Sequence, residues 1–417
     1  MRYAFILLLF FLPLLNTYAQ ELNRREPVRY EKGFTVPELK DLMEFQVSEG
    51  DTVYIRFKGD FRIRYDDITA VQSRGRLRYR ARFGFFVDLP SNFKVGMKLI
   101  SSDAQGTSGG DPISGNTSFE NNGTKKFVFF DWAYASWETN IGERIKTNIS
   151  FGKFSNPFQY SDVVFDNDYT PEGITNNWIV NFREGSNFIV HAAYFQIDEN
   201  SNTHRDPFMG GVQAGIDFSR PSKYHFFGGV GYMQVVHAQE LTNDAVPNKN
   251  VGNTRTEDGV LVHSFRNLMF QIEATKYLGA WRKFSDFPVE VGGELLLNTA
   301  IENNNLGWSG FVTLGKADKK GRWEIVYRYK YLERDSWYEE FVDSDYGAEY
   351  EEALIGSGQG SGYRPGTNMK GSRISTRYSI TNNINMGLIV YFGRLILPQG
   401  ERDTMVRRWQ YNIEFKF

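Results

Sequence analysis

The residues with the most chemistry in them are arginines and lysines set at every second position. Arg56, Lys58, Arg62 and Arg64 alternate along one run, Arg76, Arg78, Arg80 and Arg82 along the next, and Lys94 and Lys98 along a third. Arg328, Lys330, Arg373, Arg377 and Arg408 repeat the spacing late in the chain, while Glu273, Glu290 and Glu294 put acids at the same spacing in one middle stretch. Such rows make no bonds. They set a field that draws anions, orients dipolar solutes and disfavours apolar ones.

Motifs for bond-making fail on inspection. Asp166, Asp168 and Glu172 resemble part of a calcium loop, but the further ligands and the glycine that such a loop needs at fixed places are missing. His191, His204, His225, His237 and His263 form neither H-E-x-x-H nor any close pair. A lipid-acting enzyme would need a serine and a histidine on a membrane-facing surface with an orienting third group, which leaves it the remotest reading. The glycine run from Gly356 to Gly362 lacks the strand, helix and lysine of a phosphate loop. The expectation is a protein that is not an enzyme and uses no cofactor and no metal.

Composition narrows the classes further. The chain has 417 residues and no cysteine, which excludes disulfides, thiolate zinc sites, cysteine nucleophiles and a lipid-modified N-terminal cysteine. With 48 Lys and Arg against 50 Asp and Glu, the net charge of -2 lacks the footprint of a nucleic-acid binder. Arg2 followed by an apolar run from Ala4 to Leu15 and a small residue at Ala19 has the form of a secretory signal peptide, placed at residues 1–19. No later segment approaches the ~18 consecutive apolar residues of a membrane helix.

The elements that must position the charges are strands. Val53, Ile55, Phe57, Phe61, Ile63 and Tyr65 share one face of an extended run whose other face carries the first charges. About sixteen such runs begin near residues 52, 75, 93, 126, 145, 177, 187, 209, 224, 260, 287, 307, 323, 372, 384 and 403. Short turns such as Pro90-Ser91-Asn92 and Glu184-Gly185-Ser186 alternate with long polar stretches at 102–125, 154–176, 198–208, 238–258 and 333–371. That is the rhythm of an all-β transmembrane antiparallel barrel over residues 51–417, apolar face to lipid and charged face to the lumen. A charge on the lipid face costs about 2 to 4 kcal/mol at midplane, which sets the register. Sixteen strands are expected to leave an aqueous channel.

Placed on that barrel, the basic wall of the first three strands faces the acids of strands ten and eleven. The excess of base predicts a weak anion preference. The acidic stretch 333–352 is expected as a solvated surface loop, with an inward fold or a divalent-cation site as alternatives. Aromatics near strand ends, including Trp132, Tyr134, Trp308 and Trp323, are expected to form girdles at the headgroup level. Residues 20–50 break the strand pattern. Pro37 ahead of Leu39, Leu42, Met43 and Phe45 predicts a short helix, periplasmic or lumenal, in a segment too small for the plug of an energy-coupled receptor.

Three local motifs carry a resemblance. F-D-W-A-Y-A-S-W at Phe130 to Trp137, G-K-F-S-N-P-F at Gly152 to Phe158 and F-D-N-D-Y-T-P-E-G at Phe165 to Gly173 resemble, in order, the bacterial "putative porin" family of outer-membrane channels. The final run Trp409, Tyr411, Ile413, Phe415 and Phe417 looks like the C-terminal signature read by the barrel assembly machinery. The resemblance implies a passive diffusion channel in the outer membrane of a Gram-negative bacterium, in contact with outer-membrane lipids, passing small hydrophilic solutes and assembling as a homotrimer. A substrate-specific channel and a structural or adhesion barrel without transport are the other readings.

Overall fold

The computed structural model describes residues 43–48, 51–70, 73–105, 109–201, 204–241, 250–350, 356–358, 363–397 and 405–417. The expected signal peptide and most of the segment 20–50 lie outside these.

Sixteen antiparallel strands form the wall. They are β1 (Asp51–Thr69), β2 (Arg74–Asp88), β3 (Phe93–Ser102), β4 (Phe127–Ile141), β5 (Ile145–Lys153), β6 (Glu172–Arg183), β7 (Ser186–Gln196) and β8 (Phe208–Arg220). The second half is β9 (Tyr224–Val236), β10 (Phe265–Tyr277), β11 (Pro288–Asn298), β12 (Leu306–Gly315), β13 (Trp323–Leu332), β14 (Met369–Ser379), β15 (Ile384–Leu395) and β16 (Val406–Lys416). Each pairs with the next, and β16 returns to β1 with Lys416 opposite Asp60 and Arg407 opposite Thr69. Closure satisfies the backbone of every strand from its neighbours, which a surface facing hydrocarbon requires.

All sixteen alternating runs are strands in the structure, the starts of β6 and β10 being the most displaced from expectation. β6 begins early because Glu172 and Gly173, poor strand formers, pair with Lys153 and Gly152 of β5. The outer face is apolar: Ile63, Leu77, Phe83, Val230, Phe270, Ile272, Val291, Ile325 and Ile413 are all exposed on it. On the inner face Arg64, Arg78, Arg80, Arg328 and Lys330 are buried.

Three expectations are corrected. Met43 and Phe45, expected in a helix, lie on a short strand, Met43–Ser48, paired with Asp51 to Ile55. β16 covers β1 only from Asp60 onward, so that strand supplies partners to an edge otherwise left bare. Trp132 and Tyr134 turn inward instead of joining a girdle. The β3–β4 register slips at Lys98/Leu99, and beyond this bulge Lys98 sits 3.7 Å above the Trp132 ring while Tyr134 packs against the internal core. The stretch 333–350 is no solvated loop: Asp335, Glu339, Glu340 and Asp343 are buried with Trp337 and Phe341.

That burial reflects a core inside the barrel. The connection 154–171 and residues 333–350 of a later one enter the lumen, where Val163, Phe165, Trp337 and Phe341 pack on Phe195, Met209, Met233, Phe265, Met269 and Leu296 of β7 to β11. Inward positions on this side are therefore apolar toward the long connections, against the expectation of a lumen that is water-filled throughout. Trp337 Nε1 donates to the Val164 carbonyl at 2.9 Å and Asp166 N to the Phe341 carbonyl at 2.6 Å, tying one connection to the other. Residues 250–264 of a third close over them: Asn253 Nδ2 donates to the carbonyls of Arg334 and Trp337, and the buried Arg255 Nε donates to Glu339 at 2.8 Å.

The seam is locked at its far end by the last residue. Phe417 exchanges backbone hydrogen bonds of 2.7 and 3.0 Å with Gly59. A Cβ on Gly59 would stand 2.5 Å from the Phe417 ring and 2.6 Å from the Arg82 carbonyl, so only glycine admits the ring. Gly59→Leu is expected to slow closure and lower the yield of folded barrel, scored by the mobility of unheated protein in detergent gels. A wild-type yield would show that the ring does not depend on this space.

The basic wall and the loop that crosses the lumen

Across β1 and β2 the inward residues meet in rungs: Asp60 with Arg82, Arg62 with Arg80, Arg64 with Arg78, and Asp66 with Arg76. Two of these rungs set like charges face to face, which is unfavourable unless counter-charge is near. Part of it is on the strands. Asp60 accepts from Arg82 at 2.6 Å and from Arg80 at 3.1 Å, and Asp66 accepts from Arg76 at 2.8 Å and Arg408 at 2.7 Å. Glu414 of β16 adds a contact to Arg80 at 3.4 Å.

The rest arrives on the connection 154–171. Ser161 N donates to Glu294 of β11 at 2.7 Å, and its hydroxyl bonds the same carboxylate. Asp162, one residue on, pairs with Arg373 and lies 3.7 Å from Arg328. Asp168 N donates to Asp166 Oδ1 at 2.7 Å, a local turn that aims the Asp168 carboxylate at Arg80, 3.0 Å away. The connection thus runs across the lumen from the acidic strand to the basic wall. From the other inserted connection, Asp345 accepts from Arg408 at 2.7 Å and from Gln410 at 3.0 Å.

These loop carboxylates are polarised by their surroundings. Burial opposes ionisation of Asp168, but Arg80 and then Arg82, Arg62 and Arg64 hold its pKa down to about 2. Burial likewise opposes Asp162, which Arg373, Arg328 and Lys330 hold down to about 2. Against the same penalty, Arg408 and Arg64 keep Asp345 well below the carboxylate range. Asp343 goes the other way: burial and then the Asp345 charge push it up to about 7, with Lys330 pulling against them.

The remaining basic residues read from sequence are placed as follows. Arg56 pairs with Asp88 at 3.0 Å, Lys94 with Glu138 at 3.4 Å, Lys98 with Asp131 at 2.6 Å and Arg377 with Glu324. Lys58 is half-buried on the same face as Arg56, Arg328 donates to the hydroxyls of Ser161 and Ser309, and Lys330 donates to the Asp343 carbonyl at 2.8 Å. Of the acids, Glu294 is bound by Ser161, Glu273 accepts from Gln271 at 2.8 Å, and Glu290 lies opposite Thr275. The carboxylates nearest the basic wall are thus Asp60, Asp66, Asp168, Asp345 and Glu414. The sequence reading passed over their pairing role, although the acid-rich stretches at 166–172 and 333–352 had drawn notice for other reasons.

Residues 67–273 and 264–396 match the sequence profile of the "putative porin" family. No curated protein matches the chain. Among solved structures, Salmonella typhi OmpF in complex with daunomycin aligns at 12% identity and a TM-score of 0.49 over 90% of this chain and 100% of that chain. A mutant of the Rh. blastica porin aligns at 9% identity and a TM-score of 0.43 over 87% and 100%. The family match runs from within β1 to the last turn-bounded pair of strands, and this chain belongs to the "putative porin" family of outer-membrane channels.

Proposed function

We propose that this porin is a passive diffusion channel for small hydrophilic solutes, with a preference for anions set by the basic wall of β1 to β3. The observation that carries the reading is the division of the lumen. One side is filled by apolar packing under β7 to β11, while on the opposite side Arg64, Arg78, Arg80 and Arg408 are buried toward the long connections and the charges toward the short turns remain in reach of water. Arg56, Lys94 and Arg377 keep 26%, 31% and 28% of their side-chain surface open. Desolvating a charged solute is costly unless the walls replace its water, and ion-paired but solvated side chains do so. The packed connections also favour a second reading, a substrate-specific channel, because a narrowed passage brings solutes against named side chains. An export signal at residues 1–19, recognition of Phe417 by the assembly machinery and a homotrimer belong to the same proposal, the second supported by the Phe417–Gly59 joint at the seam.

The first experiment is the conductance and zero-current potential of the refolded protein in a planar bilayer across a KCl gradient. Steps with a potential on the anion side are expected, and Lys58→Glu with Lys94→Glu should move it toward cations. Clear cation selectivity of the native protein would overturn the preference, and stable insertion without steps would favour the structural or adhesion barrel.

A pH dependence follows from Asp343. It faces Asp345 on its own connection, Asp162 and Asp166 on the crossing loop, and Lys330, Arg373 and Tyr391 on the wall. Its pKa is raised from the ordinary 3.8, so docking favours the protonated acid. The contribution to docking is complete below the ordinary carboxylate value and is lost as pH rises through about 7. Conductance or its flicker should therefore increase between about pH 6 and pH 8, and Asp343→Asn, which mimics the neutral acid, should flatten that rise. An unchanged profile in the variant would assign the effect elsewhere.

A further inference from the structure

Three guanidiniums on the basic wall make their hydrogen bonds, among the described residues, to neutral partners alone, and the carboxylates of Asp168 and Asp345 act on them only through space. Arg64 and Arg78 stand opposite each other across β1 and β2, and Arg62 lies one step along the same face. Arg62 Nη2 donates to the Asn116 side-chain oxygen at 2.7 Å and Arg78 Nη2 to the Asn116 carbonyl at 3.2 Å, while Arg64 Nε donates to the Asn412 side-chain oxygen at 2.7 Å. Each guanidinium offers five N–H groups and spends one nitrogen this way. The Nε atoms of Arg62 and Arg78 are buried with no acceptor among the described residues.

The carboxylates nearby are engaged elsewhere. Asp168 is taken by Arg80, Asp66 by Arg76 and Arg408, and Asp345 by Arg408 and Gln410. Asparagine at 116 and 412 fixes the guanidiniums in place without cancelling their charge, where aspartate of the same shape would cancel it. On the four loop-side rungs every basic residue is an arginine, a planar fork that matches two oxygens at once.

We propose that Arg62, Arg64 and Arg78, set by Asn116 and Asn412, form a binding site for an oxyanion, a carboxylate or a phosphate, on the path of the solute. A bridging oxyanion would take up the uncommitted Nη donors and separate the facing like charges. The site rests on the channel reading and makes it selective: such solutes are held briefly, and chloride, with a single centre, passes without using the forks.

The test adds inorganic phosphate or succinate to one side of the bilayer in KCl and reads the single-channel current. Saturable block by at least one probe is expected, and which probe blocks separates phosphates from carboxylates. Asn116→Asp, which supplies a built-in anion, and Arg78→Gln should each raise the half-blocking concentration about tenfold or more. Lys146→Gln, a loss of equal charge at a pair with Glu138 away from the three arginines, should leave it within about twofold. Steps that neither probe affects, or block unchanged in Asn116→Asp, would overturn the site and leave the diffusion channel standing. If no steps occur, the channel reading fails on its own, and calorimetric titration of detergent-solubilised protein with the same probes decides the site. Heat that Asn116→Asp abolishes supports it, and absence of heat in the native protein overturns it.

Discussion

A row of arginines taken out of bulk water needs counter-charge, and the interior of this barrel is arranged by that need. Strand partners cannot supply enough of it, because neighbouring inward positions on β1 and β2 are themselves basic at the Arg62–Arg80 and Arg64–Arg78 rungs. The balance comes from chain that would otherwise lie outside, through Asp162, Asp168 and Asp345. Breaking such a buried pair by removing one partner leaves an uncompensated charge, at a cost of about 3–5 kcal/mol. The connections are thus held in the lumen by charge on one side and by apolar packing around Phe165, Trp337 and Phe341 on the other.

These two forces explain why the lumen is uneven. Large apolar side chains from β7 to β11 have no lipid to face inward, so they bury against the inserted connections, each contributing about 1.5–3 kcal/mol. The charged side packs differently: toward the long connections Arg64, Arg78, Arg80 and Arg408 are buried against carboxylates and asparagines, while toward the short turns Arg56 and Lys94 keep partial contact with water. A single closed wall therefore carries an apolar half and a charged half, and the loop that runs from Glu294 to Arg80 bridges them.

The wall was legible in the sequence because a period of two with charges on one face admits one arrangement in lipid. Sixteen runs, their order, the turns and the inward register of the arginines all follow from it. Its interior was legible in part. Alternation says which way Phe265, Met269 and Leu296 point, but the rule that inward means polar gave no account of three apolar residues at inward positions. A surplus of basic over acidic strand positions could have directed the acids at 162–168 and 343–345 inward, since unmatched charge must be met from somewhere. The bulge at Asp131 left no comparable sign: Trp132 reads as a girdle residue until one extra residue turns it toward Lys98.

The seam has a consequence for the order of events during folding. Most strand pairs join neighbours in sequence through short turns, and such contacts form early and at small entropic cost. β1 must instead wait for β16, some 340 residues downstream, before Asp66 can meet Arg408, Arg64 can meet Asn412 and Gly59 can receive Phe417. The first strand leaves the ribosome electrostatically unfinished and is completed by the last one. An incomplete chain therefore carries an exposed, charged edge and an empty notch, a physical mark by which unfinished protein differs from finished protein.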